Sequence, residues 1–435
     1  MDTCLKVSEW GGDVGKWGGA DILARFILSN PEIVGFKIKS NIYKITQFAD
    51  DTTLILDGSV GSMQAALNTL EIFGSFSGLR MNKEKTKVIW IGRKKFSKDK
   101  LKVSMDLNWG SSEFRLLGIT FNVDLCKMPE LNLENALIKA NLELKKWQLR
   151  KLTPIGKVII LKSFILSKFI HIFSILPVPE NFIKNLTSIF FKYLWNNKPD
   201  KIKRETLCSN YLNGGLKMIK ISDFIKSLKI CWIRRIICNS DSQWIGLFHE
   251  MYGSKNLFYF ESNSLVNIKH KITNPFWIEV LQSWQLLSKK CIVQTNNDIM
   301  NSCIWFNQKL TSDPLYLSPW YKNGIYCIGD IIDNNGEVER IEEIKKRYSF
   351  NVNILDYYRI RRLVQNYISK SKFGSIFEYA RPVYPFHIKI LTKSKKGCQD
   401  LYNIFTSGGT IEPIAKTKWE PLFDCTVPNF LESCI

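Results

Sequence analysis

The spacing of apolar residues changes character once, near Pro129, and that change limits the folds open to the chain. Before it, short β-branched and aromatic runs alternate with helical stretches: Ile42–Ala49, Thr52–Leu56, Val88–Ile91 and Leu116–Phe121 read as strands. Ala20–Leu28 and the run Val60, Met63, Leu67, Leu70, Phe73 read as helices, the second stopped by Gly78. After Pro129, Leu133, Leu137, Ala140, Leu144 and Trp147 fall at alternating spacings of 4 and 3, one buried helical stripe. Thr153-Pro154 opens the next helix, Pro177 and Pro179 close it, and further helices are expected at 180–196, 219–238, Ile341–Tyr348 and Ile354–Ser369. The expected order is an irregular Gly- and Trp-rich stretch over 1–19, an α+β layer over 20–130, a mainly α-helical region over 131–240, and a mixed, mostly helical region over 241–435.

Composition bounds the partners. Hydrophobic residues at 45% allow a packed core. The 61 Lys+Arg against 40 Asp+Glu leave +21, a surplus that favours a polyanionic partner such as nucleic acid. A chain that is merely lysine-rich has the same composition. Eleven cysteines without a C-x-x-C pair, beside four histidines, give no zinc spacing and are expected to be reduced thiols. With no apolar h-region at the N-terminus, a nuclear or cytoplasmic setting is expected rather than secretion. The greasy run Val158–Val178 carries Ser163, Ser167, His171 and Ser174 at spacings of 4, 4 and 3, so it reads as an amphipathic helix and no membrane partner is expected. The basic stretches Lys94–Lys102 and Lys198–Arg204 fit nuclear signals and phosphate contacts equally well.

The candidate chemistry lies in Phe48-Ala49-Asp50-Asp51, where a hairpin is expected to carry two adjacent carboxylates at its tip. Hard oxygen ligands so placed suit Mg²⁺, and a solvated turn has the same residues. The box resembles the aromatic-small-Asp-Asp hairpin of reverse transcriptases. Ser77-Gly78-Leu79-Arg80-Met81-Asn82-Lys83-Glu84-Lys85-Thr86 is similar to the segment that follows it in LINE-type (non-LTR) retrotransposon enzymes, and Leu116-Leu117-Gly118-Ile119 resembles their primer grip. The stretch Lys146–Lys157, then Leu161-Lys162-Ser163, Leu176-Pro177-Val178-Pro179, Trp195, Lys198–Arg204, Gly214–Met218 and Trp232-Ile233-Arg234-Arg235, resembles the thumb of the same family. Asp356-Tyr357-Tyr358-Arg359-Ile360-Arg361 echoes a later helix.

The resemblance implies a partial polymerase palm, a helical thumb and a C-terminal extension, with RNA-directed DNA polymerisation by two-Mg²⁺ phosphoryl transfer as the parent activity. It makes Asp50 a metal ligand, Asp51 a neighbouring metal-site carboxylate, and Lys85 a proton donor to pyrophosphate. It makes Leu117 and Gly118 the primer grip, and Lys145, Lys146, Arg150, Lys151 and Lys157 contacts to an RNA template and DNA primer. The competing readings are a solvated lysine in a basic loop for Lys85 and an exposed helical face for the thumb residues. Trp147, at a stripe position, is expected in the core. The family also places a further Asp on an upstream strand and a Gly-rich, Ser-Pro segment before the Ala20 helix. Gly11–Gly19 does not carry that segment, so the catalytic centre is expected to be incomplete, the chain truncated and inactive alone, or a basic nucleic-acid-binding remnant.

Overall fold

The computed structural model describes residues 3–7, 10–11, 18–38, 41–48, 51–110, 112–238, 242–252, 272–290, 299–307, 309–313, 315–333, 335–370 and 398–406. The chain divides into two units, Met1–Lys139 and Ala140–Ile435, with the division inside one long helix.

The first unit is α+β. Its elements are β1 (Thr3–Val7), β2 (Trp10–Gly11), α1 (Gly18–Ser29), β3 (Phe36–Ile38), β4 (Asn41–Tyr43), β5 (Ile45–Phe48), β6 (Asp51–Leu56), α2 (Val60–Ser77), β7 (Arg80–Met81), β8 (Lys87–Trp90), β9 (Asn108–Trp109), β10 (Glu113–Leu116), β11 (Ile119–Asn122) and the start of α3 (Met128–Gln148). The main sheet has the order β5-β6-β1-β8-β9. β1 is antiparallel to β6, with Val7 opposite Thr52, and to β8, with Leu5 opposite Val88. The connection β1-α1-β5 therefore passes over β6, and β6-α2-β8 passes over β1. These are two split β-α-β units sharing one sheet. The expected irregular stretch over 1–19 is corrected here: it contributes the strand that pairs on both sides. Five residues give too short an alternation to stand out beside Gly and Trp, and pairing rather than propensity makes the strand.

Both helices cover one face. Leu23 and Ile27 of α1 and Met63, Ala66, Leu67, Leu70 and Phe73 of α2 join Leu54, Leu56 and Val88 of the sheet in one core. α2 starts where the Ser59 hydroxyl accepts the Ser62 N–H at 3.2 Å, and it ends at Gly78, whose φ of 74° closes a left-handed cap onto the Gly74 carbonyl. The single strand expected over 42–49 is split at Lys44. Its ammonium leaves the sheet to donate to the Leu28 and Asn30 carbonyls, 3.2 and 2.8 Å away, at the C-terminus of α1.

The second unit is mainly helical: α4 (Pro154–Ile160), a π-turn (Leu161–Ile165), α5 (Ser167–Ile175), α6 (Glu180–Leu194), α7 (Arg204–Cys208), α8 (Ile221–Cys238), α9 (Gln243–Tyr252), α10 (Pro275–Lys290), α11 (Ser318–Lys322), α12 (Ile341–Tyr348), α13 (Ile354–Lys370) and α14 (Cys398–Thr406). The expected amphipathic helix is two helices bent by 49° at the π-turn, with Ser163, Ser167 and His171 exposed and Leu161, Ile165, Phe169 and Phe173 buried. No single described helix is long and apolar enough to cross a membrane. Residues 299–368 close a core of their own around Trp305, Trp320, Ile328, Ile344, Tyr357 and Ile360.

α8 is the axis of this unit, and Lys229 is its pin. The ammonium is fully buried, donates to the Leu176 carbonyl just past α5, pairs with Glu279 of α10 at 3.1 Å, and lies 4.6 Å from the Phe276 ring. Glu279 in turn accepts the Val178 N–H at 3.3 Å, the one backbone donor between Pro177 and Pro179. Burial, partly offset by Glu279, holds the Lys229 ammonium down to about 8. Between pH 8 and the ordinary lysine value the unfolded chain binds a proton that the native chain has shed, so this group makes stability rise with pH in that window. Chemical denaturation from pH 7.5 to 10 should show wild type gaining on Lys229→Met by roughly 1 kcal/mol per pH unit. A difference that shrinks as pH rises would contradict the buried ammonium.

Candidate nucleic-acid interface and acidic hairpin

The acidic hairpin is β5–β6, closed by the pair Phe48–Asp51. Asp51 is thus the first residue of the strand, not of the tip, and it is half-buried. Alternation along β6 sends Leu54 and Leu56 into the helix-covered core, so Asp51, Thr53 and Ile55 share the other face. Gln47 reaches across to the Thr52 hydroxyl at 3.2 Å. Asp50 lies outside the described residues. Among the described residues no group of three or more His, Cys, Asp or Glu side chains is set to hold a metal.

The segment after α2 has a local structural cause at most positions. Gly78 supplies the left-handed cap, and Asn82 holds a turn by accepting the Lys85 N–H on its side chain at 3.1 Å. The Asn82 carbonyl accepts both the N–H and the hydroxyl of buried Thr86, at 3.0 and 2.6 Å. Lys85 itself is exposed on that turn.

Leu117 and Gly118 form the two-residue turn of the β10–β11 hairpin, with Leu116 opposite Ile119. Their φ angles are 47° and 83°, the signs of a mirror-image turn whose favoured first residue is Asn or Gly. Leu117 is held there with its side chain half exposed. The hairpin beneath it is fixed by Asn132 of α3, whose amide accepts the Thr120 N–H at 2.9 Å and donates to the Thr120 and Met128 carbonyls, both at 2.8 Å. A stacked Phe114–Phe121 pair, 5.2 Å between centroids, adds to it. Sequence reasoning missed Asn132. Its signal was a polar residue on the same row of α3 as Ala136 and Ala140, both buried.

The basic residues separate into two kinds. Lys145, Lys146, Arg150 and Lys151 are exposed around the end of α3 and the turn that follows. Lys146 makes a loose ion pair with Glu143 at 3.4 Å, and the Arg150 guanidinium lies 5.0 Å from the Trp147 ring centre. Trp147, expected in the core, is half-buried and meets Phe164 at 5.5 Å. Phe164 and Lys162 sit on the π-turn, where one extra residue per turn pushes side chains outward. Phe164 is 52% exposed and Leu149 nearby in sequence is 87% exposed. Nothing in the apolar spacing marks a π-turn in advance.

Lys157 is the correction. It is expected to contact template–primer, yet it is buried, and its ammonium donates to the Tyr193 carbonyl at 3.3 Å, the Leu194 carbonyl at 3.2 Å and the Asn196 side chain at 2.6 Å. It caps the C-terminus of α6, where unpaired carbonyls and the negative end of the helix attract a cation. Burial pushes its pKa down. Lysine after Thr153-Pro154-Ile155-Gly156 gave no hint that its stem runs inward along the helix. No protein-family profile matches the chain.

Replacing Lys157 by Met should lower stability by roughly 2 to 3 kcal/mol through lost charge-assisted bonds, while the salt dependence of polyanion binding stays as in wild type. Denaturant titration and a salt series read the two effects separately. Replacing Leu117 by Asn should raise stability by about 1 kcal/mol, since the left-handed region costs a branched residue that much. An unchanged or lower denaturation midpoint would show that the turn carries no strain.

Proposed function

We propose that this chain is the rear part of a LINE-type reverse transcriptase, comprising a partial palm, a thumb and a C-terminal extension. On this reading its working role is to bind an RNA template with a DNA primer, or a related nucleic acid. The observation that carries the reading is the sheet. The hairpin with the acidic box supplies two adjacent strands, β5 and β6, of a sheet built from two split β-α-β units, beside a central strand antiparallel to it. A single-stranded gap for β1 between β6 and β8 is a specific arrangement for an acidic hairpin to occupy, and a solvated turn has no need of it. The left-handed Leu117-Gly118 turn supports the primer-grip reading, because strain persists where a surrounding scaffold over-determines it, as Asn132 does here.

The described residues do not fit a two-Mg²⁺ cage. Of β1, β5 and β6, the strands nearest the box, only β6 bears a carboxylate, Asp51. β1 reads Thr-Cys-Leu-Lys-Val, so the described part of the strand next to the hairpin carries no second hard ligand. Phosphoryl transfer is therefore assigned to the parent activity, and this chain is proposed to bind without catalysing. Binding draws on charge: the +21 surplus, and within it the exposed Lys145, Lys146, Arg150 and Lys151, with the exposed Phe164 and Leu149 among them. A second reading, a basic nucleic-acid-binding remnant with no link to polymerisation, keeps the same contacts and drops the acidic hairpin and the Leu117 turn.

Binding of a short RNA–DNA hybrid by the full chain, followed over 50 to 300 mM salt, tests the proposal. Wild type should show a steep log–log slope. The quadruple replacement of Lys145, Lys146, Arg150 and Lys151 by Ala should flatten it by roughly 3 to 4. Leu117→Asn should weaken a primer–template junction several-fold while leaving a blunt hybrid unchanged; equal effects on both favour the remnant. Primer extension with Mg²⁺ should be absent, and extension abolished by Asp51→Ala would overturn the non-catalytic assignment.

A further inference from the structure

We propose that Cys231 and Cys398 form a reactive dithiol that accepts a low-molecular-weight disulfide, such as oxidised glutathione, and closes into a bond joining α8 to α14. Cys231 lies one turn beyond Ser227 on α8, so both face the same neighbour. That neighbour is Cys398, whose sulfur is 3.0 Å from the Ser227 hydroxyl and hydrogen-bonded to the Cys231 thiol. The juxtaposition is anchored. Leu401 and Phe405 of α14 are buried in the core that holds Ile230 and Ile233 of α8, and the Tyr402 hydroxyl accepts the Lys220 N–H at 3.0 Å.

The two thiols are unlike. Cys398 opens the nine-residue helix α14, where unpaired N–H groups favour an anion. The hydrogen bond from Cys231 works against burial and, helped by Ser227, holds the Cys398 thiol down to about 7. The same contact and burial push the Cys231 thiol up. Both are half-buried and so within reach of a small oxidant. The order of events follows. The Cys398 thiolate attacks one sulfur of oxidised glutathione, forming a mixed disulfide and releasing one glutathione thiolate. Cys231 then loses its proton to solvent and attacks the Cys398 sulfur, forming the 231–398 bond and releasing the second glutathione. Two protein thiols are oxidised and one glutathione disulfide is reduced to two thiols.

A second close pair sets the comparison. Cys303 and Cys327 oppose each other in an antiparallel bridge flanked by the Ile304 N–H to Tyr326 carbonyl and Ile328 N–H to Ser302 carbonyl bonds, both 3.0 Å. That makes them a non-hydrogen-bonded pair with close Cα atoms. Both are buried in the core of the 299–368 region, so an oxidant reaches them when that region opens. Exposed Cys126 supplies a solvent-facing thiol as reference.

The test is reaction of the full reduced chain with oxidised glutathione at pH 7, followed by peptide mass mapping. Wild type should give a peptide pair linked through Cys231 and Cys398, with little standing adduct, about tenfold ahead of any adduct on Cys126. Cys231→Ser should stop at the Cys398–glutathione adduct, and Cys398→Ser should give neither product. Circular dichroism checks that both variants fold; Ser227→Ala, a milder change, should slow the adduct several-fold and covers the case in which they do not. Three results would overturn the proposal: Cys126 reacting first, a Cys398 adduct in wild type that never resolves, or the 303–327 pair closing ahead of 231–398.

Discussion

A lysine ammonium inside a protein must recover most of what it loses on leaving water, and the second unit is organised around one that does. Lys229 gives its proton donors to a helix-end carbonyl and to Glu279, with the Phe276 ring beside it. Removing any one of the three leaves a charge whose desolvation is no longer offset. Because the carbonyl belongs to the end of α5, the carboxylate to α10 and the lysine to α8, one charge fixes three helices. The Trp232 indole, donating to the Ser174 carbonyl at 2.6 Å, closes a second orphan acceptor at the same helix end. The Pro177-Val178-Pro179 turn that follows has only one N–H of its own, and Glu279 takes it.

The same device recurs on a smaller scale. Lys157 ends α6 and Lys44 ends α1, each by donating to terminal carbonyls. Lysine suits the task because its long apolar stem crosses a buried layer and its three donors can serve several acceptors at once. This changes how the charge surplus is read. A count of basic residues treats all cations as available to a polyanion, yet these three are spent on helix ends. The charge that remains is a surface property, carried by exposed residues such as Arg93, Lys94, Lys95, Lys98, Lys100 and Lys102 in one loop and Lys145, Lys146, Arg150 and Lys151 around the end of α3.

Much of the architecture was legible in residue order. The α2 stripe, its Gly78 stop, the Thr153-Pro154 start, the Pro177 and Pro179 close and the helix Ile341–Tyr348 all follow from local signals: spacing, caps and the missing N–H of proline. What escaped was non-local. β1 is a strand because β6 and β8 flank it, and no five-residue window contains that information. Lys157 and Trp147 were assigned by position in a pattern, yet the tertiary neighbour decides which side of a helix a long side chain follows. Lys157 found a helix end and went in; Trp147 found Arg150 and Phe164 and stayed at the boundary. Leu117 was expected inside a strand over Leu116–Phe121, and its left-handed backbone emerges only once the pairing Leu116–Ile119 leaves two residues to reverse the chain.

The sheet order also separates what such a site can hold from what it can do. A hairpin with an acidic end, packed by one face onto two helices, turns its alternate residues to the opposite face, and Asp51 is among them. Two hard cations need carboxylates from more than one strand, since a single strand sends every second residue away and spaces the rest about 7 Å apart. The partner strand is present in β1, with the antiparallel register that brings its Val7 end to the acidic end of β6. Among the described residues of these two strands Asp51 is the one carboxylate, so what the sheet order supplies is the proximity of two strands rather than a set of ligands. The exposed cations at the end of α3 and the acidic hairpin of the sheet belong to different stretches of the chain, so surface charge and the hairpin's carboxylate are set independently by the sequence.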